Sequence, residues 1–375
     1  MKYKLKNIFD LQMGKTPSRN NTNYWNTNDY EWISIADLSK TEKYITDTKE
    51  YLSTLAIEES GIKVIPANTV VMSFKLSIGK TAITGKDMYC NEAIMAFHDK
   101  HVVDILPEYI YYMFKYRNWD NGSNKAVMGK TLNKSTLSEV EIDICSIEKQ
   151  KEIVTVLDKV MESLSSRKKE LALFDELVRG RFVELFGDPV SNTKGWKTEE
   201  MSKIAPVVNY KGKFNGEVWL LNLDMIEAQT GKILDYLIVS EDEVGNSTCT
   251  FDTNNVLYSK LRPYLNKVVI PDRCGYATSE LVPLQPVSKK MNREYLAFML
   301  RSHEFVNMIN EKVAGAKMPR VSMKEFRKFK VPVPPIELQN QFADFVKQID
   351  KSKFRGLSML TTIKSAYDQQ TFIYP

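Results

Sequence analysis

Seven cations, Lys312, Lys317, Arg320, Lys324, Arg327, Lys328 and Lys330, stand in one stretch of the sequence against only Glu311 and Glu325. An earlier stretch carries Lys115, Arg117, Lys125, Lys130 and Lys134 around Asn118, Trp119, Asn121 and Asn124. Lysine and arginine suit phosphate oxygens and a carboxamide can reach a base edge, so contact with a nucleic acid is the chemistry this pattern fits. Either run alone reads as a solvated face. That both lie ahead of a long helical segment raises DNA binding above that reading. A third polar stretch, residues 14–25, contains Lys15, Ser18, Arg19, Asn20 and Asn21 and offers Tyr24 and Trp25 as exposed aromatics; it reads as a plain surface loop or a DNA-facing one.

The residues that covalent or metal chemistry requires are not arrayed for it. Cys90, Cys145, Cys249 and Cys274 show no CxxC spacing, and only His98, His101 and His303 could join them, so structural zinc is disfavoured. Gly129-Lys130-Thr131 supplies the end of a phosphate loop, but Asn124 stands where its first glycine is needed. Pro334-Pro335 lies between Val333 and Ile336, without the polar and aromatic flanks by which amino-methyltransferases hold an exocyclic amine. We expect no catalytic site and no metal site in this chain.

The 375 residues suggest two to three domains, and 43% hydrophobic with 26% charged residues is ordinary globular composition. A net charge of +5 permits an anionic partner without demanding one. No apolar run approaches the roughly 18 residues of a membrane span. Met1-Lys2-Tyr3-Lys4-Leu5-Lys6 lacks the apolar core of a signal peptide, so the expectation is a cytoplasmic chain with reduced thiols and no membrane partner.

What must position these residues is a repeat. Trp32-Ile33-Ser34-Ile35-Ala36-Asp37 reappears as Trp219-Leu220-Leu221-Asn222-Leu223-Asp224, an offset of 187. Val71 to Leu76 recurs as Val256 to Leu261 (185), which pairs Lys75 with Lys260, and Asn91-Glu92 recurs as Ser279-Glu280 (188). Tyr109 to Met113 matches Tyr295 to Met299 (186), and Gly129 to Leu137 matches Gly315 to Met323 (186), placing Lys134 on Arg320 and Thr136 on Ser322. Ile147-Glu148-Lys149-Gln150 parallels Ile336-Glu337-Leu338-Gln339 (189). Collinear blocks at nearly one offset argue for a duplicated unit over chance.

Within each half, short β-rich strings such as Glu31-Trp32-Ile33-Ser34-Ile35 and Thr69 to Phe74 predict a small twisted sheet. Helical aromatic stretches, Pro107 to Tyr116 and Asn292 to Asn310, are expected to cover it. From Ile153 the seam steps by four and three through Leu157, Val160 and Leu164, then Arg167, then Leu171 and Phe174 to Val178, a heptad pattern on a helix of about 58 Å. That helix should stop at Gly187-Asp188-Pro189. The second copy has Leu338, Phe342, Val346 and Ile349 on one stripe and weakens at Lys353 and Gly356, which predicts a shorter or kinked partner. Two helices following equivalent domains would pack antiparallel about a pseudo-two-fold axis. The alternative is two amphipathic helices, each lying on its own domain.

The chain resembles the DNA-specificity subunit of type I restriction-modification systems. The residues that carry the likeness are Gly14-Lys15-Thr16-Pro17-Ser18 with Tyr24-Trp25 and Trp32-Ile33, and Ile147-Glu148-x-Gln150-x-x-Ile153 opening a long helix. Leu185-Phe186-Gly187-Asp188-Pro189 at its end and Pro334-Pro335-Ile336-Glu337-x-Gln339 complete the pattern. Asn209-Tyr210-Lys211-Gly212-Lys213 departs from it where the second half should repeat Gly14 to Ser18.

The resemblance implies a mixed α/β chain: target-recognition domain 1 (1–146), a central conserved helix (147–189), target-recognition domain 2 (190–334) and a C-terminal conserved helix (335–375), the helices pairing as an antiparallel coiled coil. It implies a non-catalytic subunit that reads a bipartite duplex DNA site, with two modification subunits for adenine methylation and a motor-nuclease restriction subunit as partners. S-adenosylmethionine, ATP and Mg would sit on those partners. DNA contacts are expected at Lys15, Ser18, Arg19, Asn20, Asn21, Lys75, Lys130, Lys134, Lys260, Arg262, Lys317 and Arg320. Helix pairing is expected at Ile153, Leu157, Val160, Leu164, Leu171, Phe174, Phe342, Val346 and Ile349. The rival reading is a coiled-coil scaffold or nucleic-acid-binding adaptor without bipartite specificity.

Overall fold

Each half opens with a three-residue strand that pairs antiparallel with the strand laid down just ahead of a long helix: Lys2–Lys4 with Glu141–Asp143, and Thr198–Glu200 with Lys330–Pro332. Start and end of each half are thereby tied together. The computed structural model describes residues 1–75, 77–119, 132–214, 216–313 and 318–371. Two compact units divide the chain, Met1–Arg167 together with Met359 onward, and Lys168–Ser358.

In the first unit Val70–Ser73 lies between Thr81–Thr84 and Ile94–Asp99, antiparallel to both, in a five-stranded sheet that also holds Phe9–Met13 and Tyr44–Ile45. A second sheet sets Trp25–Ile33 between antiparallel Glu50–Leu52 and parallel Tyr89–Cys90. The second unit repeats both arrangements. Val256–Ser259 lies between Val268–Val269 and Leu281–Leu284, and Glu217–Leu221 between antiparallel Leu237–Ser240 and parallel Gly275–Thr278.

Strand pairing corrects the register read from letters. Ser73 opposes Ile94 and Ser259 opposes Leu281, so Ser73 corresponds to Ser259 and Val70, not Val71, corresponds to Val256. Phe74 and Lys260 then correspond, each donating its N–H back across the sheet, to Ala93 and Glu280 at 3.0 Å. Lys75 and Lys260 are therefore not counterparts. A one-residue slip moves every side chain to the other face, and only the cross-strand partner reveals it. Likewise Asn133 caps the short helix Lys134–Ser138 and Ser322 caps Met323–Phe326, so Lys134 corresponds to Met323 rather than Arg320, and Leu137 to Phe326.

Pro107–Tyr116 covers the first sheet: Tyr109, Ile110 and Phe114 share a core with Val70, Met72 and Phe97. Its copy is two helices, Arg293–Arg301 and His303–Glu311, broken at Ser302, whose hydroxyl caps the second through the Phe305 N–H at 3.3 Å. Asn292 caps the start of the first, and Ser302, ending one helix and capping the next, is why the periodic stretch does not run through.

The long helices are Ile147–Phe186 and Ile336–Thr371. The first stops at Gly187, left-handed at φ 72°, whose N–H donates to Val183 O at 2.8 Å. The second runs straight through Gly356, against the expected interruption; a lone glycine costs about 1 kcal/mol, which a helix of this length carries. The seam divides its partners. Ile153, Leu157 and Val160 pack into the core of the first unit, on the globular body itself, as the alternative reading had it. Leu164 and Leu171 are half-buried. Phe174, Val178, Phe182 and Phe186 join Phe342, Val346 and Ile349 in the core of the second unit.

Inside that unit the two helix segments run in opposite directions. Phe186 meets Phe342 at 5.6 Å, and eleven residues back along one helix and forward along the other Asp175 meets Lys353 at 2.6 Å.

Gln150 and Gln339 fix how each long helix begins. Both are fully buried. Gln150 Nε2 donates to the carbonyls of Asp104 (2.8 Å) and Cys145 (2.9 Å), and its Oε1 accepts the Leu106 N–H (2.9 Å). Gln339 makes the same three bonds, to Lys290 O (2.9 Å), Pro334 O (2.8 Å) and from Asn292 N–H (2.9 Å). Leucine at 339 would strand three main-chain groups in a dry site, so Gln339→Leu is expected to lower stability by about 2–4 kcal/mol. Gln341→Leu, on the exposed face, should leave it within about 0.5 kcal/mol, both read from urea midpoints.

Candidate nucleic-acid interface

The loop after Phe9–Met13 is held down at every turn. Gly14 and Lys15 N–H groups donate to Ile94 O (3.0 Å) and Cys90 O (2.9 Å), and the indole N–H groups of Trp32 and Trp25 donate to Lys15 O (3.0 Å) and Ser18 O (3.1 Å). A Cβ on Gly14 would stand 2.2 Å from Asn91 O and 2.3 Å from Cys90 O. Close approach, not backbone angle, therefore requires glycine here. Gly14→Ala should cost about 1–3 kcal/mol and lift the loop off the Tyr89–Cys90 strand, seen as a lower melting temperature and faster proteolysis between residues 14 and 24.

Trp25 is not exposed, contrary to expectation; it meets buried Trp32 edge to face at 5.0 Å beneath Arg19, whose guanidinium lies 3.8 Å from the Trp25 ring and 4.8 Å from the Trp32 ring. Arg19 also grips Glu50 with both terminal nitrogens. Lys15 donates its Nζ to Ser60 O, Asn21 accepts the Asn23 N–H at 3.1 Å, and Ser18 and Asn20 are exposed. The loop is a rigid polar surface with its aromatic rings turned inward.

The two basic stretches also differ from their sequence reading. Lys115 donates to Glu42 O at 2.8 Å and to the Tyr111 hydroxyl, and burial holds its ammonium below the usual lysine range. Arg117 packs 5.4 Å from the Trp119 ring. Lys115 thus braces the domain, while Arg117 stays exposed beside the ring. Lys125, Lys130 and Lys317, with Asn121 and Asn124, lie outside the described residues. Lys134 is exposed at the start of its helix, and Lys75 stands half-buried at a turn with Nζ 5.3 Å from the Phe74 ring. The same turn bears exposed Lys80, which the sequence reading missed, and it lies against Trp119: a Cβ on Gly79 would fall 3.0 Å from that ring.

In the second unit three of the expected residues are brought together. The Val321 N–H donates to Lys260 O and the Arg262 N–H to Pro319 O, both at 2.8 Å, so Pro319–Arg320–Val321 runs beside Lys260–Leu261–Arg262. Arg320 reaches Glu280 at 3.0 Å. That pair is exposed on the arginine side, where an ion pair is worth about 0–1 kcal/mol, so a phosphate can displace the carboxylate. Lys324, Arg327, Lys328 and Lys330 continue from this point, all exposed, with Glu325 3.8 Å from Lys328. Glu50 and Glu280 as built-in counter-ions were not legible, because each lies far along the chain from the arginine it holds.

Among the described residues no group of three or more His, Cys, Asp or Glu side chains could hold a metal ion, and no helix is long and apolar enough to cross a membrane. The arrangement is one of positioned cations and polar turns, suited to binding an anionic polymer.

Comparison with known proteins agrees with this geometry. A type I restriction enzyme specificity subunit of Methanocaldococcus jannaschii, MjaIX, is 22% identical over 97% of this chain and 90% of its own length. The EcoDI specificity subunit of Escherichia coli is 28% identical over 33% of this chain and 27% of its own. Among solved structures, the S subunit of a type I restriction-modification system from M. genitalium superposes with a TM-score of 0.53 at 16% identity, covering 100% of this chain and 96% of that one. A chain from a structural study of complex assembly in the type I R-M system gives 0.63 at 13%, covering 99% and 96%. The type I restriction modification DNA specificity domain matches twice, at residues 1–173 and 193–356, and the chain belongs to that family.

Proposed function

We propose that this chain reads a split duplex DNA target, one part with each globular unit, and places modification subunits on it so that adenine within the target is methylated. The observation that carries this reading is the duplication itself: two similar folds, each with cations on the turn after its central strand, Lys75 and Lys80 in one and Lys260 and Arg262 in the other, joined in one chain through the long helices. Two readers in one chain favour two half-sites, the logic by which paired DNA-binding modules select split targets. By this reading Lys15, Ser18, Arg19, Asn20, Asn21, Lys75, Lys130 and Lys134 serve one half-site, and Lys260, Arg262, Lys317 and Arg320 the other.

The chemistry belongs to partners. Modification subunits bring S-adenosylmethionine, and a restriction subunit brings ATP and Mg. Leu173, Leu177 and Val183 stand on the first long helix at 62, 51 and 60% exposure, apolar surface that a partner subunit would cover. The helices themselves extend their antiparallel contact beyond the second unit as a coiled coil in this reading.

Sequencing of modified adenines across the host genome, with and without the gene, tests the proposal. Loss of one bipartite motif is the expected result. Methylation unchanged at every motif would overturn it.

A further inference from the structure

The turn joining Val256–Ser259 to Val268–Val269 holds two residues in the left-handed region, Arg262 (φ 48°) and Asn266 (φ 51°). A third, Gln229 (φ 68°), lies against it, donating its N–H to Leu265 O at 3.0 Å and its carboxamide to Tyr264 O at 2.9 Å. None is glycine. Such backbone persists only where its surroundings over-determine it, and it collects at sites that contact ligands.

Asn266 has a local explanation. It stands two residues ahead of Val268, which pairs with Tyr258, as Gly79 (φ 86°) stands two ahead of Thr81, which pairs with Met72. The turn therefore needs a left-handed residue at its exit in both units, and asparagine tolerates that conformation. Its Nδ2 donates to Arg301 O at 2.9 Å.

Arg262 has no such account. Its N–H is used on Pro319 O, its Nε is buried without a partner, and its terminal nitrogens make no hydrogen bond or ion pair among the described residues. Between Arg262 and Asn266 sits Tyr264, 46% exposed. The turn is gripped by Gln229, Pro319 and Arg301, and its neighbour Lys267 donates to Leu223 O at 2.6 Å. The result is a strained turn, braced on several sides, with a guanidinium unpaired among the described residues and an exposed phenol.

We propose that the Arg262–Asn266 turn is the base-contacting element of the second unit, with Tyr264 and the Arg262 guanidinium entering a groove of duplex DNA. This rests on the reading of the chain as a DNA-specificity subunit. A guanidinium matches the paired acceptors on a guanine edge, and a phenol offers a donor, an acceptor and an apolar ring to neighbouring bases. Discrimination between bases needs contacts fixed within about half an ångström, which a braced turn supplies and a loose one does not.

The test selects duplexes from a random library with the full chain and its modification partner, for the unaltered protein, Tyr264→Ala and Arg262→Gly. For Tyr264→Ala we expect one part of the selected motif to lose its information while the other part is kept. Affinity for the original duplex should fall about tenfold, with binding to unrelated duplex unchanged. Arg262→Gly should melt at a higher temperature, because the strain is gone, and still lose preference in that same part. A turn with only a structural role would give the stability without the loss. Recovery of the original motif at full affinity by both variants overturns the proposal. An unaltered protein that selects no motif overturns the DNA-specificity reading, and the turn's role with it.

Discussion

Lys324→Glu, Arg327→Glu and Lys328→Glu made together are expected to weaken binding to duplex DNA by about 10²- to 10³-fold at about 0.1 M salt. Each phosphate neutralised by a cation adds about 0.9 to the slope of log affinity against log salt, so three lost contacts remove close to three decades at that concentration. All three side chains are exposed and the short helix they flank is anchored by buried Phe326, so the fold should stand. A salt series by fluorescence anisotropy, with the modification partner present, reads both quantities: the affinity should drop and the slope should fall by about three. An unchanged slope would take this segment out of the interface and leave the Arg262 turn and Lys260 to carry the contact alone.

The second large effect is on stability. Phe342 is fully buried and its ring lies 5.5, 5.6 and 5.1 Å from those of Phe182, Phe186 and Phe298. It is the point where both long helices and the helix Arg293–Arg301 converge. Phe342→Ala should cost about 3–5 kcal/mol, and Phe342→Leu, which keeps most of the volume, less than about 1.5 kcal/mol. Lys353→Ala, removing only a part-exposed ion pair with Asp175, should cost under about 1 kcal/mol. Urea unfolding of the three variants gives the order directly. If Phe342→Ala cost no more than Lys353→Ala, the helices would not be held by this aromatic cluster.

The duplicated fold was legible because the residues that mark it, Trp32 with Trp219 and Gln150 with Gln339, are large or fully buried side chains whose spacing the fold constrains. Register within the repeat was not. Val71 and Val256 look alike as letters, yet backbone pairing sets Val256 level with Val70, and nothing in a short apolar string records which neighbour it will face. Periodicity found the apolar stripe through Ile153, Leu157 and Val160 but could not say what covers it; the globular body does. Trp25 read as an exposed ring because its neighbours are polar, whereas Arg19 and the loop carbonyls close over it. At the candidate interface the cations themselves were visible, but their employment was not. Lys115 is drawn inward by burial, Arg117 lies beside the Trp119 ring, and Arg320 is countered by Glu280, which stands forty residues away in the chain.

The hydrogen bonds of the glutamine at the start of each long helix go to main-chain groups: two carbonyls and one N–H, in both units. Such a joint is blind to the side chains of the body it anchors. A globular half carrying wholly different surface residues, provided its backbone path is kept, would meet the helix in the same way. The fold thereby separates what may vary from what must not: the surface of a globular half can change while the joint that seats it on its helix is inherited intact.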